Sequence, residues 1–463
     1  MPANALHILD NGAMHCDLTW CCISWASCCP TSARRGRVMT DTDMESVFTY
    51  AAPALKFGPG AADEIGFDLA QQGAERVLVV TDPGVAATGW PQRVADQMRA
   101  FDIEAVVFDR SHVEPTDVSL AEAVAWAREH GPWGGFVAVG GGSSIDTAKA
   151  VNLMTTNPGE LMDYINAPVG GGQNPTKPLN PLIAVPTTTG TGAESTTVCV
   201  LDVLDLHVKT GISHNRLRPT MAVVDPRLTV TQPPGVTASA GMDILCHALE
   251  GYTAKPYDAY ERKAPDERVP YCGANPVADM WSEQALRLLA RSFRTAYRDG
   301  DDLDARMDMA MAATFAGMGF GNAGVHIPHA NAYPIAGRVT DFRPQGYPQD
   351  EAMVPHGMSV VLTAPEAFRF TYDARPERHE YVAGMLVADG DAGSGPDALP
   401  NALTQLMRDL DIPNGIGGVG YGKQDIDGLV EGAMQQQRLL TIAPKDVTED
   451  DLAGIFERSL ELW

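Results

Sequence analysis

The chain has 463 residues, 44% of them hydrophobic and 20% charged, an ordinary balance for a globular protein that excludes general disorder. Acidic residues outnumber basic ones 59 to 34 for a net charge of −25, a surface that repels nucleic-acid phosphates and anionic lipid. No apolar run reaches the roughly eighteen residues a membrane span needs, and the length suits two domains.

Five of the eight cysteines crowd into the head of the chain, at Cys16, Cys21, Cys22, Cys28 and Cys29. Their adjacent pairs lack zinc-site spacing. Arg34, Arg35 and Arg37 suit a transit peptide, whereas Asp10 and Asp17 oppose one. The preferred reading of residues 1–38 is a disordered extension or a misassigned start, with Met39 beginning the protein. The dispersed Cys199, Cys246 and Cys272 read as reduced thiols and point to the cytosol, with the mitochondrial matrix as the alternative if the head is a transit peptide.

From residue 44 to 230 short apolar strands alternate with helical stretches. Strands are expected at Arg76–Asp82, Glu104–Asp109, Phe136–Val139, Pro181–Val185 and Met221–Asp225. Asp117 reads as the N-cap of a helix that runs to His130. Fully apolar strands between helices imply a parallel sheet covered on both faces. After Asp225-Pro226 the pattern becomes helical, with Asn275-Pro276 as a helix start and long helical periodicity from Pro276 to Ala316 and from Asp397 to the end. The expected architecture is therefore an α/β domain over 44–230 and an all-helical domain over 231–463, preceded by the extension 1–43.

Two loops at strand ends can hold a nucleotide. Gly140-Gly-Gly-Ser-Ser-Ile-Asp-Thr-Ala-Lys149 follows a strand and precedes a helix expected near Ile145, so free N–H groups at the helix start suit a pyrophosphate. The Gly-x-Gly-x-x-Gly spacing is absent, and a plain glycine turn explains the segment equally well. Pro186-Thr-Thr-Thr-Gly-Thr-Gly-Ala-Glu194 is a second such turn, where ligands of doubly wound sheets collect. Gly140, Gly141, Gly142, Ser143, Thr187, Thr188, Thr191 and Lys209 are the expected dinucleotide contacts, with Lys209 offering charge to a phosphate or hydrogen bonds to a ribose. Asp82, at a strand end, can accept from a ribose diol and repel a 2′-phosphate, which favours NAD over NADP.

Downstream, Asp243 and His247 lie one helical turn apart and project from one helix face. The apolar Ile244 and Leu245 between them argue for a half-buried helix rather than a solvated pair. His326, His329 and His356 follow, each by itself more economically explained as a satisfied core or loop histidine. Only the combination of one carboxylate with several imidazoles points to a divalent first-row ion.

These segments resemble the iron-containing, group III alcohol dehydrogenases. The resemblance rests on Gly-Gly-Gly-Ser-x-x-Asp-x-x-Lys, on Pro-Thr-Thr-x-Gly-Thr-Gly-x-Glu, and on Gly-x-Asp-x-x-x-His-Ala-x-Glu-x-Tyr ending at Tyr252, and it covers about residues 50–463. It implies a dehydroquinate synthase-like architecture, an α/β dinucleotide-binding domain joined to an all-α metal-binding domain with the site between them. It also implies NAD(H), one divalent metal (Fe2+ preferred, Zn2+ possible), and a homo-oligomer. Asp243, His247, His329 and His356 match the family's metal ligands, His329 because it sits four residues before the Tyr333-Pro334 step. Within the family, Tyr333 and the long 338–353 insertion are similar to the hydroxyacid-oxoacid transhydrogenase branch, which implies 4-hydroxybutyrate and 2-oxoglutarate as the substrate pair. Tyr333 keeps a hydroxyl for proton relay, His326 is a second catalytic candidate, and Arg338 or His326 would anchor a substrate carboxylate. Alternatives are an NAD-dependent alcohol or 4-hydroxybutyrate dehydrogenase that releases NADH, a dehydroquinate-synthase-like lyase, for which a basic pocket is missing, and a non-catalytic binding protein.

Overall fold

The apolar runs pair as their composition dictates. In the computed structural model, which describes residues 44–463 except 207, 266, 348, 351 and 388–391, eight strands form: β1 (Ala54–Phe57), β2 (Arg76–Val80), β3 (Glu104–Phe108), β4 (Gly135–Gly140), β5 (Leu182–Pro186), β6 (Val198–Val203), β7 (Val208–Ser213) and β8 (Met221–Val224). Six of them make one all-parallel sheet in the order β1-β8-β5-β4-β2-β3. Side chains alternate between its faces, so Leu78, Val80, Phe136 and Ala138 join one core while Val77, Val79, Val137 and Val139 join another. Burial on both faces explains why these strands read as unbroken apolar runs.

The antiparallel β6–β7 hairpin stands outside that sheet, and neither it nor β1 was expected from the sequence. Its helical attachment is built from buried charge. Lys149 is fully buried in the Gly142–Thr156 helix and donates to Asp146 Oδ1 at 3.2 Å, Thr196 Oγ1 at 3.1 Å and the Val198 carbonyl at 2.7 Å. Asp146 Oδ2 in turn accepts from the Val200 amide at 2.9 Å. The Asp and Lys of the glycine-rich motif thus hold the hairpin rather than a ligand.

Two helix starts differ from expectation. Thr116, not Asp117, caps the Asp117–His130 helix, because its hydroxyl accepts from the Ser119 amide while Ser119 Oγ accepts from the Thr116 amide. The glycine-loop helix begins at Gly142 rather than near Ile145.

Beyond β8 every named element is helical. Pro234–Thr253 packs against Pro276–Arg298 and Leu303–Ala323, two helices where one long periodic stretch was anticipated; Asp302 caps the second by accepting from the Ala305 amide. Gly324, at φ 99°, then turns the chain into Ile327–Gly337. The last short helix before the C-terminal bundle that bears on the site is His356–Val361. A large helical core runs from Ala238 to Phe456, and sheet and helices close into one unit, Met44–Trp463. Cys199, Cys246 and Cys272 are free thiols, while the five head cysteines lie outside the described residues. Among the described residues no helix is long and apolar enough to cross a membrane.

Candidate active site

Asp243 and His247 occupy one face of the buried Pro234–Thr253 helix, as their spacing requires. His329 is the third residue of the Ile327–Gly337 helix, and His356 the first residue of His356–Val361. The three Nε2 atoms converge on Asp243 Oδ1, at 3.4 Å from His329, 3.6 Å from His247 and 3.7 Å from His356. Asp243, His329 and His356 each offer an atom within 4.8 Å of the others; His247 borders this group without belonging to the mutual set. Phe320 stacks on His247 at 3.8 Å between ring centroids and seals its far face.

Asp243 Oδ1 and His329 Nε2 are buried without a hydrogen-bond partner. Each such atom costs about 1–3 kcal/mol when left unpaired, and one cation between them would satisfy both. The donor set, one carboxylate with imidazoles, fits a divalent ion. Electrostatics agree. Burial would raise the Asp243 carboxyl, yet His247, His356 and His329 hold it well below the usual carboxylate range. Burial pushes His247 down to about 3, so it is a neutral imidazole with a free lone pair.

Glu250 completes the cluster and was not singled out from the sequence. Fully buried, it accepts from the His326 amide at 2.8 Å and the His329 amide at 3.2 Å through Oε1, and meets His329 Nδ1 at 2.5 Å through Oε2. A carboxylate on Nδ1 fixes which nitrogen of His329 faces the cluster. Burial would lower His329, but Glu250 and Asp243 outweigh it and raise it to about 10, the same pull that a cation at Nε2 would feel. The available signal was positional: Glu250 is seven residues, two helical turns, after Asp243.

His326 goes elsewhere. It precedes the helix with non-helical backbone, is fully buried, and places Nε2 3.1 Å from Thr253 Oγ1 and its ring edge-on to Phe368. Burial lowers it to about 4. It does not line the cleft, so neither a catalytic role nor a substrate anchor falls to it. Arg338 is exposed beside Gly428 and is likewise off the cleft.

One cleft joins this cluster to the glycine loop. Gly142, Ser143, Thr191 and Lys209 line it from the sheet side, and His247, His329, Tyr333 and His356 from the helical side. The glycines serve close approach, since none of the three has positive φ: a Cβ at Gly140 would lie 2.5 Å from Ser144 Oγ, and one at Gly142 2.8 Å from Thr191. Gly141 touches Thr188, and the Thr187 amide donates to the Gly140 carbonyl at 3.0 Å, which locks the two loops together behind the cleft. Asp82 sits at the same sheet edge, accepting from the Val85 amide at 3.0 Å and from Ser144 Oγ at 3.1 Å. Lys209 is tied to Glu114 and, at 3.1 Å, to Asp202. Burial opposes its charge, but those two carboxylates outweigh it and raise its pKa, so its charge is already spent and a phosphate gains little from it.

Residues 52–226 match the iron-containing alcohol dehydrogenase family model, and residues 269–460 match the C-terminal model of the Fe-containing alcohol dehydrogenase family. The chain belongs to the iron-containing alcohol dehydrogenase family. Proteins named hydroxyacid-oxoacid transhydrogenase, mitochondrial, are similar throughout: the Bos taurus protein is 44% identical over 90% of both chains. The Homo sapiens protein is 41% identical over 95% of this chain and 96% of its own. Among solved structures, a 1,3-propanediol oxidoreductase aligns with TM-score 0.77 at 30% identity, over 89% of this chain and all of its own. A sulfoacetaldehyde reductase from Bifidobacterium kashiwanohense, solved in complex with NAD+, aligns with TM-score 0.72 at 27% identity, over 89% of this chain and 98% of its own. The chain is an oxidoreductase of a family that implies NAD(H) and a divalent metal. The cytosolic expectation finds no support in these relatives, whose names place them in mitochondria.

Proposed function

We propose that the protein is a hydroxyacid-oxoacid transhydrogenase that oxidises 4-hydroxybutyrate to succinate semialdehyde and reduces 2-oxoglutarate to 2-hydroxyglutarate with NAD(H) retained between the half-reactions. The first substrate gives up a hydride from its carbinol carbon and the hydroxyl proton. The second takes a hydride at its keto carbon and a proton on oxygen, so the nucleotide ends as it began. What carries this reading is the cleft that joins the Gly142 helix start to the Asp243/His329/His356 cluster, in a chain 41–44% identical to named transhydrogenases over 90–95% of its length.

Asp243, His329 and His356, with His247 beside them, would hold the metal, iron by family and zinc as the second choice. When bound, the metal supplies a Lewis acid for charge on the substrate oxygen, and the nicotinamide supplies the hydride acceptor. The chain's own residues do the rest. Glu250 orients His329. Gly142 and Ser143, in the first turn of the Gly142–Thr156 helix, line the cleft with Thr191, and the N–H groups of such a turn suit a pyrophosphate. Asp82, at the end of β2, would accept from a ribose diol. Phe320 and Val325 give the cleft an apolar lining beside the cluster. Tyr333 Oη accepts from Arg438 Nη2 at 3.1 Å, which leaves its own proton for a group in the cleft and suits it to a relay.

The test uses protein freed of unbound nucleotide and given both substrates with no NAD. Equal yields of succinate semialdehyde and 2-hydroxyglutarate, with ping-pong kinetics, are expected. Strict dependence on added NAD, with NADH accumulating as alcohol is consumed, would instead establish a conventional dehydrogenase. That second reading is favoured by solved neighbours named as alcohol dehydrogenases.

A further inference from the structure

Two long cations line the cleft, and only one of them is free. Lys209 is held by Glu114 and Asp202. Arg438, half-buried in the short helix Gln437–Leu440, has no carboxylate partner among the described residues; its side chain makes one hydrogen bond, to Tyr333 Oη. Its guanidinium opens onto the cluster side of the cleft, beside Tyr333, His329 and His356. Tyr333, which holds it, stands one helical turn after His329 on the same helix and face. The guanidinium fork offers five donors, of which Tyr333 takes one, and the planar arrangement matches a carboxylate.

We infer that Arg438, positioned by Tyr333, is the anchor for a substrate carboxylate, and that it selects acids whose carboxylate lies three carbon–carbon bonds from the reacting carbon. The inference rests on the substrate pair proposed above and explains a feature of it. In 4-hydroxybutyrate two methylenes separate the carbinol carbon from the carboxylate. In 2-oxoglutarate two methylenes separate the keto carbon from the distal carboxylate. The two acids, otherwise unlike, therefore present the same spacing to one fixed cation. With carbon–carbon bonds near 1.5 Å, that spacing is about 6 Å from carboxylate to reacting oxygen. A single anchor then lets donor and acceptor use the same cleft in turn, as retained nucleotide requires. The α-carboxylate of 2-oxoglutarate has no counterpart in 4-hydroxybutyrate and so does not define the pair.

The decisive experiment compares Arg438→Met with the parent on 4-hydroxybutyrate and on 1-butanol, which has the same carbinol and no charge. The variant should lose roughly 10- to 100-fold in kcat/KM for 4-hydroxybutyrate, chiefly through KM, and similarly for 2-oxoglutarate, the range of a charge-assisted hydrogen bond. The ratio of kcat/KM for 4-hydroxybutyrate to that for 1-butanol should fall by that same roughly 10- to 100-fold, because whatever is lost through the Tyr333 contact is common to both substrates. Arg438→Lys, which keeps charge but not the fork, should fall between the two. Equal losses on 4-hydroxybutyrate and 1-butanol, or none on the acid, would overturn the assignment. Should Arg438→Met fail to fold, a chain-length series on the unaltered protein still decides. 4-Hydroxybutyrate should exceed both 3-hydroxypropionate and 5-hydroxypentanoate in kcat/KM, and a flat series would overturn the inference. If the parent turns over neither acid, the proposed function fails first; if it turns over both and Arg438→Met does not discriminate, only the anchor fails.

Discussion

Replacing Glu250 by glutamine tests the most buried polar contact of the site. The carboxylate touches His329 Nδ1 at 2.5 Å through one oxygen and takes two backbone amides, at 2.8 and 3.2 Å, through the other. Glutamine keeps the shape and can keep the two amides on its carbonyl oxygen. Its NH2 group then faces Nδ1, where it can only donate. The imidazole must carry its proton on Nε2 instead, which removes the lone pair aimed at Asp243 and the metal position. Carboxylate partners of this kind typically contribute 10- to 100-fold to metal affinity, about 1.4–2.8 kcal/mol of binding free energy. Glu250→Gln should therefore lose that much affinity for zinc or cobalt, measured by competition with a chromophoric chelator, while circular dichroism remains that of the parent. Glu250→Ala should also destabilise the fold, because the His326 and His329 amides lose their acceptor at about 1–3 kcal/mol each. A metal affinity for Glu250→Gln within twofold of the parent would refute the argument that this carboxylate sets the His329 tautomer.

His329→Ala or Asp243→Ala should abolish turnover and metal retention with the fold largely kept, whereas His326→Ala should keep its metal and lose only the stability of the Thr253 contact; the reverse order in metal analysis would overturn the ligand assignment. Asp82→Ser should raise the ratio of NADP to NAD efficiency by removing a charge that opposes a 2′-phosphate, while its hydroxyl preserves the cap on Val85. Equal use of both nucleotides by the parent would defeat that reading. Lys149→Met should destabilise by about 3 kcal/mol or more, since Asp146 would be left buried and unpaired. A melting temperature equal to the parent's would show that this ion pair does not hold the hairpin.

The sequence by itself determined whatever depends on residues near one another along the chain. Period and composition marked five of the six strands of the parallel sheet, the Asn275-Pro276 helix start and the one-turn spacing of Asp243 and His247, because helix and strand geometry repeats over a few residues. The motifs identified the family and, through Tyr333-Pro334, favoured His329. Tertiary structure decided the rest. His326 and His329 look alike in a window of sequence; only the helix start at Ile327 sends one ring to Thr253 and the other to Asp243. Asp146 and Lys149 lie in a nucleotide motif yet fasten a hairpin whose strands begin some fifty residues later. Lys209 reads as a free cation until Glu114, 95 residues earlier, is found against it. Arg438, 105 residues after Tyr333, carries no local signal at all. Local pattern fixes which face a side chain occupies, but what it meets there is set by chain segments whose approach leaves no periodic trace in the sequence.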